Sequence, residues 1–204
     1  MTDSSGGDQR TYTEQQLREV SIGDVRRHDA PVTLVEYSEQ WPLRYQREAQ
    51  RIRSALGERV LLLEHVGSTS VPGLFAKPVI DICLAVADPA DEGEYAPALE
   101  AAGYVLRIRE PTWFEHRLFH GPDEAVNLHV FAAGSAEIDR MVRFRDRLRS
   151  DPADRELYAR TKRELASRTW SYVQNYADAK GEVVAAIMSR ATASGPPGAR
   201  RDET

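Results

Sequence analysis

The sequence predicts an α+β domain: a mixed β-sheet with helices on one side and a helical C-terminal part. Three observations predict it. Short apolar or alternating runs crowd the stretch from Val60 to Ala133, a helical period takes over after Ser135, and 204 residues suit one sizeable core. The chain divides into a flexible N-terminal leader over 1–30, a folded domain over 31–190 and a disordered tail over 191–204, where Ser, Gly and Pro lack any periodicity.

In the leader, Leu17, Val20, Ile22 and Val25 are too sparse to specify a helix. Val32 opens VTLVEY, whose β-branched and apolar residues predict a short strand. Trp41-Pro42 marks a helix start, where the missing proline N–H costs nothing, and Tyr45, Ala49, Ile52 and Leu56 recur at helical spacing up to Gly57. VLLLEHV, ending at Val66, and PVIDICLAV, ending at Val86, are short enough to be buried strands. Between them GSTSVPGLFAKP predicts a loop able to hold one helical turn. Tyr95 to Ala102 reads as a helix closed by Gly103 in a left-handed cap. YVLRIRE, WFEHRLFH and AVNLHVFAA follow as strands. Ser135 caps the next helix, which carries Ile138, Met141, Val142 and Leu148 on one face and ends at Asp151-Pro152. Two more helices are expected, from about Ala153 to Ala166 and from about Tyr172 to Arg190.

A formal net charge of -5 weighs against a broad nucleic-acid surface. Arg143, Arg145, Arg147 and Arg149 could meet phosphate, but their alternate spacing spreads them around a helix and predicts a solvated face. One cysteine excludes an intramolecular disulfide and every multi-cysteine zinc pattern. No apolar run approaches the ~20 residues of a membrane helix, and MTDSSGGDQRTY lacks the basic start and apolar stretch of a signal peptide. The expectation is a cytoplasmic protein with no membrane partner.

Chemistry concentrates in EHVGSTSVPGLFAKPVIDICLAV, residues 64–86. A strand that ends in Gly67-Ser68 lets backbone N–H groups and a hydroxyl approach phosphate with no side chain in the way, although a tight structural turn uses the same residues. Asp81 stands between Ile80 and Ile82 in an otherwise apolar strand. A carboxylate there needs a cation, a donor or a metal, because burying it unpaired is costly. Tyr158 with Lys162, and Tyr176 with Lys180, are i, i+4 pairs that either line a cleft or pack helices together.

HVGSTSVPGLFAKPVIDI resembles the signature of the GrpB (glutamate-rich protein B-like, UPF0157) family, a branch of the nucleotidyltransferase-fold proteins. LVEYSEQWPLRYQRE, EHRLF, NLHVF, VRFRDRLRSDPADRELYARTKRELA and YADAKGEVVAAI extend the resemblance over about residues 32–190. It implies a nucleotidyltransferase-like core in which Gly67, Ser68, Thr69 and Ser70, with Lys77, hold nucleotide phosphates beside the Asp81 strand. Active members of that superfamily carry Asp-x-Asp or Asp-x-Glu, two carboxylates on one strand face that share Mg2+ or Mn2+. Such a pair clamps triphosphate and activates an incoming hydroxyl. Here Asp81 matches the first carboxylate and Cys83 stands at the second. Thiolate is a soft ligand and cysteine in an apolar strand is a small core residue, which puts the two-metal arrangement in doubt.

The resemblance also marks His129, which shares a strand face with Asn127, as a metal ligand, base or hydrogen-bond partner beside Asp81. Ahead of the turn, His65 rather than Glu64 is the family match. His65, Arg117 and Arg145 are the implied substrate contacts, with ion pairing inside the fold as the alternative for the two arginines. Lys77 suits either a phosphate or an ion pair with Asp81. The implied activity is nucleotidyl transfer from ATP or another nucleoside triphosphate to an unknown small molecule, with Asp81 and His129 as catalytic and metal-binding residues. The alternative is a non-catalytic nucleotide- or ligand-binding accessory domain that has lost the second carboxylate. The resemblance further suggests that some relatives are fused to dephospho-coenzyme A kinase. This sequence has no G-x-x-x-x-G-K-[ST] phosphate loop for that kinase step.

Overall fold

The computed structural model describes residues 11–25, 27–122 and 125–193, so most of the tail expected over 191–204 lies outside the described residues. Five strands, β1 (Leu62–Val66), β2 (Ile80–Val86), β3 (Val105–Glu110), β4 (His116–His120) and β5 (Val126–Ala132), form one sheet in the order β1-β2-β5-β4-β3. β2 and β5 run parallel and the other neighbours antiparallel, which makes the sheet mixed. The helices are α1 (Glu14–Val20), α2 (Gln40–Leu56), α3 (Ala96–Ala101), α4 (Ala136–Ser150), α5 (Pro152–Ala166), α6 (Val173–Asp178) and α7 (Gly181–Ala193).

The two faces of the sheet follow from the period of two in β2 and β5. Ile80, Ile82, Leu84 and Val86, with Leu128 and Val130, meet α2 and α3 through Ile52, Leu56 and Leu99. Ile80 and Ile82 are fully buried there, each burial worth about 1.5–3 kcal/mol. The opposite face presents Asp81, Cys83 and Ala85. There the C-terminal part begins, as Ile138 of α4 packs on Cys83, Ala85, Phe131 and Val66. Asp81, at the start of β2, keeps 28% of its side chain exposed.

Helices α4, α5 and α7 then fasten the loop that joins β1 to β2. Leu148, Tyr158, Ala159 and Ile187 enclose Val71 and Leu74, both almost wholly buried. Asp151 starts α5 by accepting the N–H groups of Ala153 and Asp154, with Pro152 in the first turn. Asp154, itself buried, receives Arg147 of α4 at 2.7 Å and Arg190 of α7, so one carboxylate ties three helices.

Several expectations need correction. VTLVEY is not a strand: Val35 makes an isolated bridge to Ala76, while Val32 packs with Leu165, Ala166 and Tyr176, so this apolar run anchors the C-terminal helices. The helix expected from Tyr172 to Arg190 is interrupted before Gly181, giving α6 and α7. The leader contains α1, capped by Thr13 and Gln16 in a reciprocal box, and Ile22 donates to the Arg107 carbonyl at 2.7 Å. The arginine series of α4 is not a solvated face. Arg145 reaches Glu64 at 2.5 Å, Arg147 reaches Asp154, and Arg149, although exposed, donates twice to the Ser70 carbonyl, while Arg143 is exposed and donates to the Asp139 carbonyl of its own helix.

Candidate functional site

β1 ends at Val66, which is registered opposite Asp81 in β2, so the following turn falls beside that carboxylate. Gly67 has φ 68° and ψ -173°, a conformation that is essentially glycine's alone. A Cβ there would lie 2.3 Å from Asp81 Oδ2 and 2.9 Å from Asp81 Cβ and Cγ. Glycine is therefore required twice, for backbone freedom and for the approach of the carboxylate. Ser68 to Ser70 form one helical turn, as the loop reading allowed.

The turn's hydroxyls divide. Thr69 is buried, donating to the Val79 carbonyl at 3.0 Å and meeting His65 Nε2 at 3.1 Å. Ser70 donates to the Gly67 carbonyl at 2.6 Å. These two brace the turn internally, so the expected phosphate contact from their side chains is not what the geometry offers. Ser68 is the hydroxyl of the turn for which no internal bond is recorded among the described residues.

Asp81 accepts from Asn127 Nδ2 at 2.9 Å and has His129 Nε2 at 3.9 Å from the same Oδ1. Parallel pairing of β2 with β5 produces this, because Asp81 is registered with Asn127 and Cys83 with His129. Burial acts to raise the Asp81 carboxyl, but His129, Asn127 and Lys180 together hold it below the usual carboxylate value. Behind His129 lies a chain of buried polar groups. His129 Nδ1 is 3.0 Å from His116 Nε2, His116 Nδ1 is 2.7 Å from Glu110 Oε2, and the Tyr12 hydroxyl donates to Glu110 Oε1. His116 stacks on Phe131 and meets Trp113 edge-on, and burial pushes it down to about 4. Glu110 and His116 escaped the sequence reading. The strand quoted for Arg117 contained His116, and the register that sets it beside His129 is a tertiary fact.

Three lysines surround the same corner. Burial lowers Lys77, and the neighbouring Asp81 and Lys180 charges oppose each other on it. Lys162 of α5 is buried, donates to the Phe75 carbonyl at 2.5 Å, and is held well below the usual lysine range by burial and by Lys180. Lys180 lies in the break between α6 and α7, 4.6 Å over the Tyr176 ring, and Lys162 lies 5.4 Å over Tyr158. Both tyrosine–lysine pairs are thus cation–π pairs, and both lysines face the candidate site electrostatically. Among the described residues none of the three lysines is recorded in an ion pair.

The implied substrate contacts separate. His65 is registered with Ile82 and therefore turns to the α2 face, where it stacks on Tyr45 at 4.8 Å; Glu64 shares the Asp81 face. His65 and Arg145 meet in a cleft of about 480 Å³ at the outer edge of β1, lined also by Tyr37, Tyr45, Glu64, Ser70 and Arg149. Arg117 belongs elsewhere. It is registered with Val130 and so lies on the face opposite His129, buried against Glu92 at 2.5 Å and the Glu115 carbonyl. Its expected substrate contact gives way to the ion pair.

Cys83 is fully buried among Val66, Phe131 and Ile138, and burial pushes its thiol up to about 12. The place of a second carboxylate is thus closed by α4. Among the described residues no three His, Cys, Asp or Glu side chains are grouped to hold a metal ion. Asp81 and His129 offer two donors, an oxygen and a nitrogen, and fit a single divalent cation that draws its remaining ligands from water or phosphate.

The geometry can be set beside known proteins. A UPF0157 protein of Halalkalibacterium halodurans is 58% identical over 194 residues, covering 95% of this chain and 98% of the relative. A UPF0157 protein of Streptomyces coelicolor is 47% identical over 163 residues, covering 80% and 86%. A dephospho-CoA kinase of Mycolicibacterium paratuberculosis is 31% identical over 179 residues, covering 74% of this chain and 44% of that protein. The crystal structure of conserved protein GrpB from Enterococcus faecalis superposes with a TM-score of 0.70 at 30% identity, covering 79% of this chain and 98% of that one. No helix among the described residues is long and apolar enough to cross a membrane. The model of the GrpB protein family matches residues 31–190, and with these relatives it establishes that the chain belongs to the GrpB family.

Proposed function

We propose that this chain is a cytoplasmic enzyme of nucleotidyltransferase type, which binds a nucleoside triphosphate with one divalent cation at the Gly67–Asp81 corner and transfers a nucleotidyl group to a small acceptor. One observation carries the reading: Lys77, Lys162 and Lys180 converge on a single carboxylate, Asp81, whose recorded partners are Asn127 and His129. Crowded ammonium groups repel one another and are half-deprived of water. A polyphosphate relieves both costs, because each phosphate oxygen replaces lost hydration with a charge-assisted bond. Gly67 lets the chain approach closely, and Ser68 adds a hydroxyl.

In this reading Asp81 and His129 hold the cation, which supplies Lewis-acid polarisation of the transferred phosphorus. The lysines bind and orient the phosphates, and their charge opposes the negative charge that develops on the leaving pyrophosphate. The cleft of about 480 Å³ beside Ser70, with Tyr37, Tyr45, His65, Arg145 and Arg149, receives the acceptor. Relatives named dephospho-CoA kinase make ATP the first nucleotide to assay.

Purified protein with Mn2+ should bind ATP and release pyrophosphate when the acceptor is present, and Asp81→Ala should abolish metal-dependent binding. Undiminished binding and turnover in that variant would reject the site. A buried Cys83 supports a second reading, a non-catalytic nucleotide-binding domain. Nucleotide affinity that is identical with and without divalent cation favours this alternative.

A further inference from the structure

The cleft of about 480 Å³ at the outer edge of β1 holds an uneven set of charges. Arg145, Arg149 and Arg155 line it against a single lining carboxylate, Glu64, in a chain whose formal net charge is -5. Arg145 is already paired. Its Nη1 donates to Glu64 at 2.5 Å and to the His65 carbonyl at 3.0 Å, while Nε and Nη2 meet Asp146, outside the lining. Arg149 and Arg155 are held differently. Arg149 donates through Nε and Nη2 to the Ser70 carbonyl, and its Nη1 stands 3.6 Å from the exposed Asp146. Arg155 donates through Nη1 to the carbonyls of Leu148 and Arg149 at the end of α4, and no bond from its Nε or Nη2 is recorded among the described residues. Carbonyls thus fix both guanidinium groups in place without neutralising them, since a helix end offers at most a fraction of a charge. Burial, with the Arg145 charge, lowers Arg149 from its ordinary range against the pull of Asp146 and Glu64. Apolar walls complete the cleft: Pro42, Pro72, Tyr37, whose ring meets Trp41 edge-on, and Tyr45, stacked on His65.

We propose that this cleft binds a small molecule bearing a phosphate monoester, with Arg149 and Arg155 gripping the dianion and the tyrosine and proline walls covering the organic part. Two guanidinium groups anchored only on carbonyls match a group that carries about -1.5 to -2 at pH 7. A carboxylate brings one charge and is satisfied by one arginine fork, as Asp146 is by Arg145. The volume suits a small ligand, and a few convergent polar groups among apolar walls are what such a ligand requires. Ser70 joins the cleft to the Asp81 corner, because its carbonyl holds Arg149 while its hydroxyl donates to the Gly67 carbonyl. A ligand gripped by Arg149 therefore lies against the turn that carries Gly67. That this ligand is the acceptor rests on the nucleotidyl-transfer reading; the phosphate site rests on the geometry of the cleft alone.

The test uses full-length protein without nucleotide or divalent cation, and phenyl phosphate as the probe. Calorimetry should show saturable binding that weakens with added salt, and benzoate, a single negative charge on the same ring, should bind about 10-fold more weakly. Arg149→Met and Arg155→Met should each weaken phenyl phosphate binding about 10-fold or more, and Arg155→Lys should recover part of the loss. Glu64→Gln should bind it about 3-fold more tightly, because the one negative charge of the lining is gone. Arginines that only brace the fold give no such gain. Urea unfolding identifies the variants that are folded, and if Arg149→Met is not, Arg155→Met and Glu64→Gln decide. No saturable binding by the wild type, equal affinity for benzoate, or undiminished affinity in Arg155→Met overturns the phosphate site. Competition between ATP and phenyl phosphate, with ATP equally weakened in Arg155→Met, makes the cleft the seat of the triphosphate and overturns the acceptor role. Phenyl phosphate binding as expected in a protein that releases no pyrophosphate from ATP upholds the site and rejects nucleotidyl transfer, so the two failures are told apart.

Discussion

Substituting Gly67 by alanine tests the corner without touching a titratable group. The backbone at φ 68° and ψ -173° costs a non-glycine residue about 1–3 kcal/mol. The new methyl would also stand 2.3 Å from Asp81 Oδ2, and Asp81 cannot retreat easily because β2 is registered to β1 and β5 on both sides. Overpacking of this kind adds about 1–3 kcal/mol, for a total of roughly 2–6 kcal/mol. Urea unfolding of wild type, Gly67→Ala, Asp81→Ala and the double variant forms a complete cycle. With Asp81 shortened to alanine, Oδ2 and Cγ are gone and the Cβ–Cβ approach of 2.9 Å remains. The Gly67→Ala penalty should therefore fall by about 1 kcal/mol or more in that background, and the variant should lose cation binding even under conditions where it is folded. A Gly67→Ala protein as stable as wild type would refute the reasoning, as would a penalty that is the same with and without the Asp81 carboxylate.

Cys83→Asp, which would restore the superfamily spacing in sequence, should instead destabilise by roughly 3 kcal/mol or more and gain no metal response, because α4 seals the position; urea unfolding and a Zn2+ titration check this. Lys162→Met should leave stability within about 1 kcal/mol, since a buried cation is exchanged for an apolar chain of similar length, while weakening triphosphate more than monophosphate binding in calorimetry. Arg109, and against the effect of burial also Arg117, hold the Glu92 carboxyl down at about 2, below its ordinary 4.5. A depressed carboxyl stabilises fully above pH 4.5 and loses that contribution as the pH falls towards 2. Glu92→Gln should therefore flatten the acid limb of the stability curve in this window by about 2 kcal/mol, after allowance for the solvent around the half-exposed Arg109.

The corner was legible in the sequence where local rules suffice. Asp81 between two isoleucines in a buried strand, and a Gly-Ser turn just before it, need only the period of two and the glycine rule. His129 and Asn127 also followed from strand parity once the resemblance had marked them. Arg117 was misplaced because parity is relative: whether it or His116 faces the site depends on the register of β4 with β5, which pairs Leu118 with His129. His65 shows the same ambiguity, resolved by its pairing with Ile82. VTLVEY satisfied every local criterion for a strand, yet Val32 and Leu34 pack on helices that follow some 130 residues later, as Val32 does on Leu165. Lys162 and Lys180 were visible as neighbours of tyrosines, but the convergence of a helix, the break between two others and a loop on Asp81 lies beyond any local pattern.

The strap formed by residues 11–25 carries a consequence for what counts as the domain. β3 is an outermost strand of the sheet, and such an edge invites pairing with another chain. Ser21 bridges to Ile108 and Ile22 bonds to Arg107, so the strap occupies part of that edge, while Tyr12 is stitched to Glu110, Asp178 and Asn175. The family match begins at residue 31, after all of these contacts. A protein trimmed to the shared boundaries would uncover an adhesive strand and, in the same stroke, take the tyrosine from the far end of the His129 chain, so aggregation and a mistuned site would arrive together.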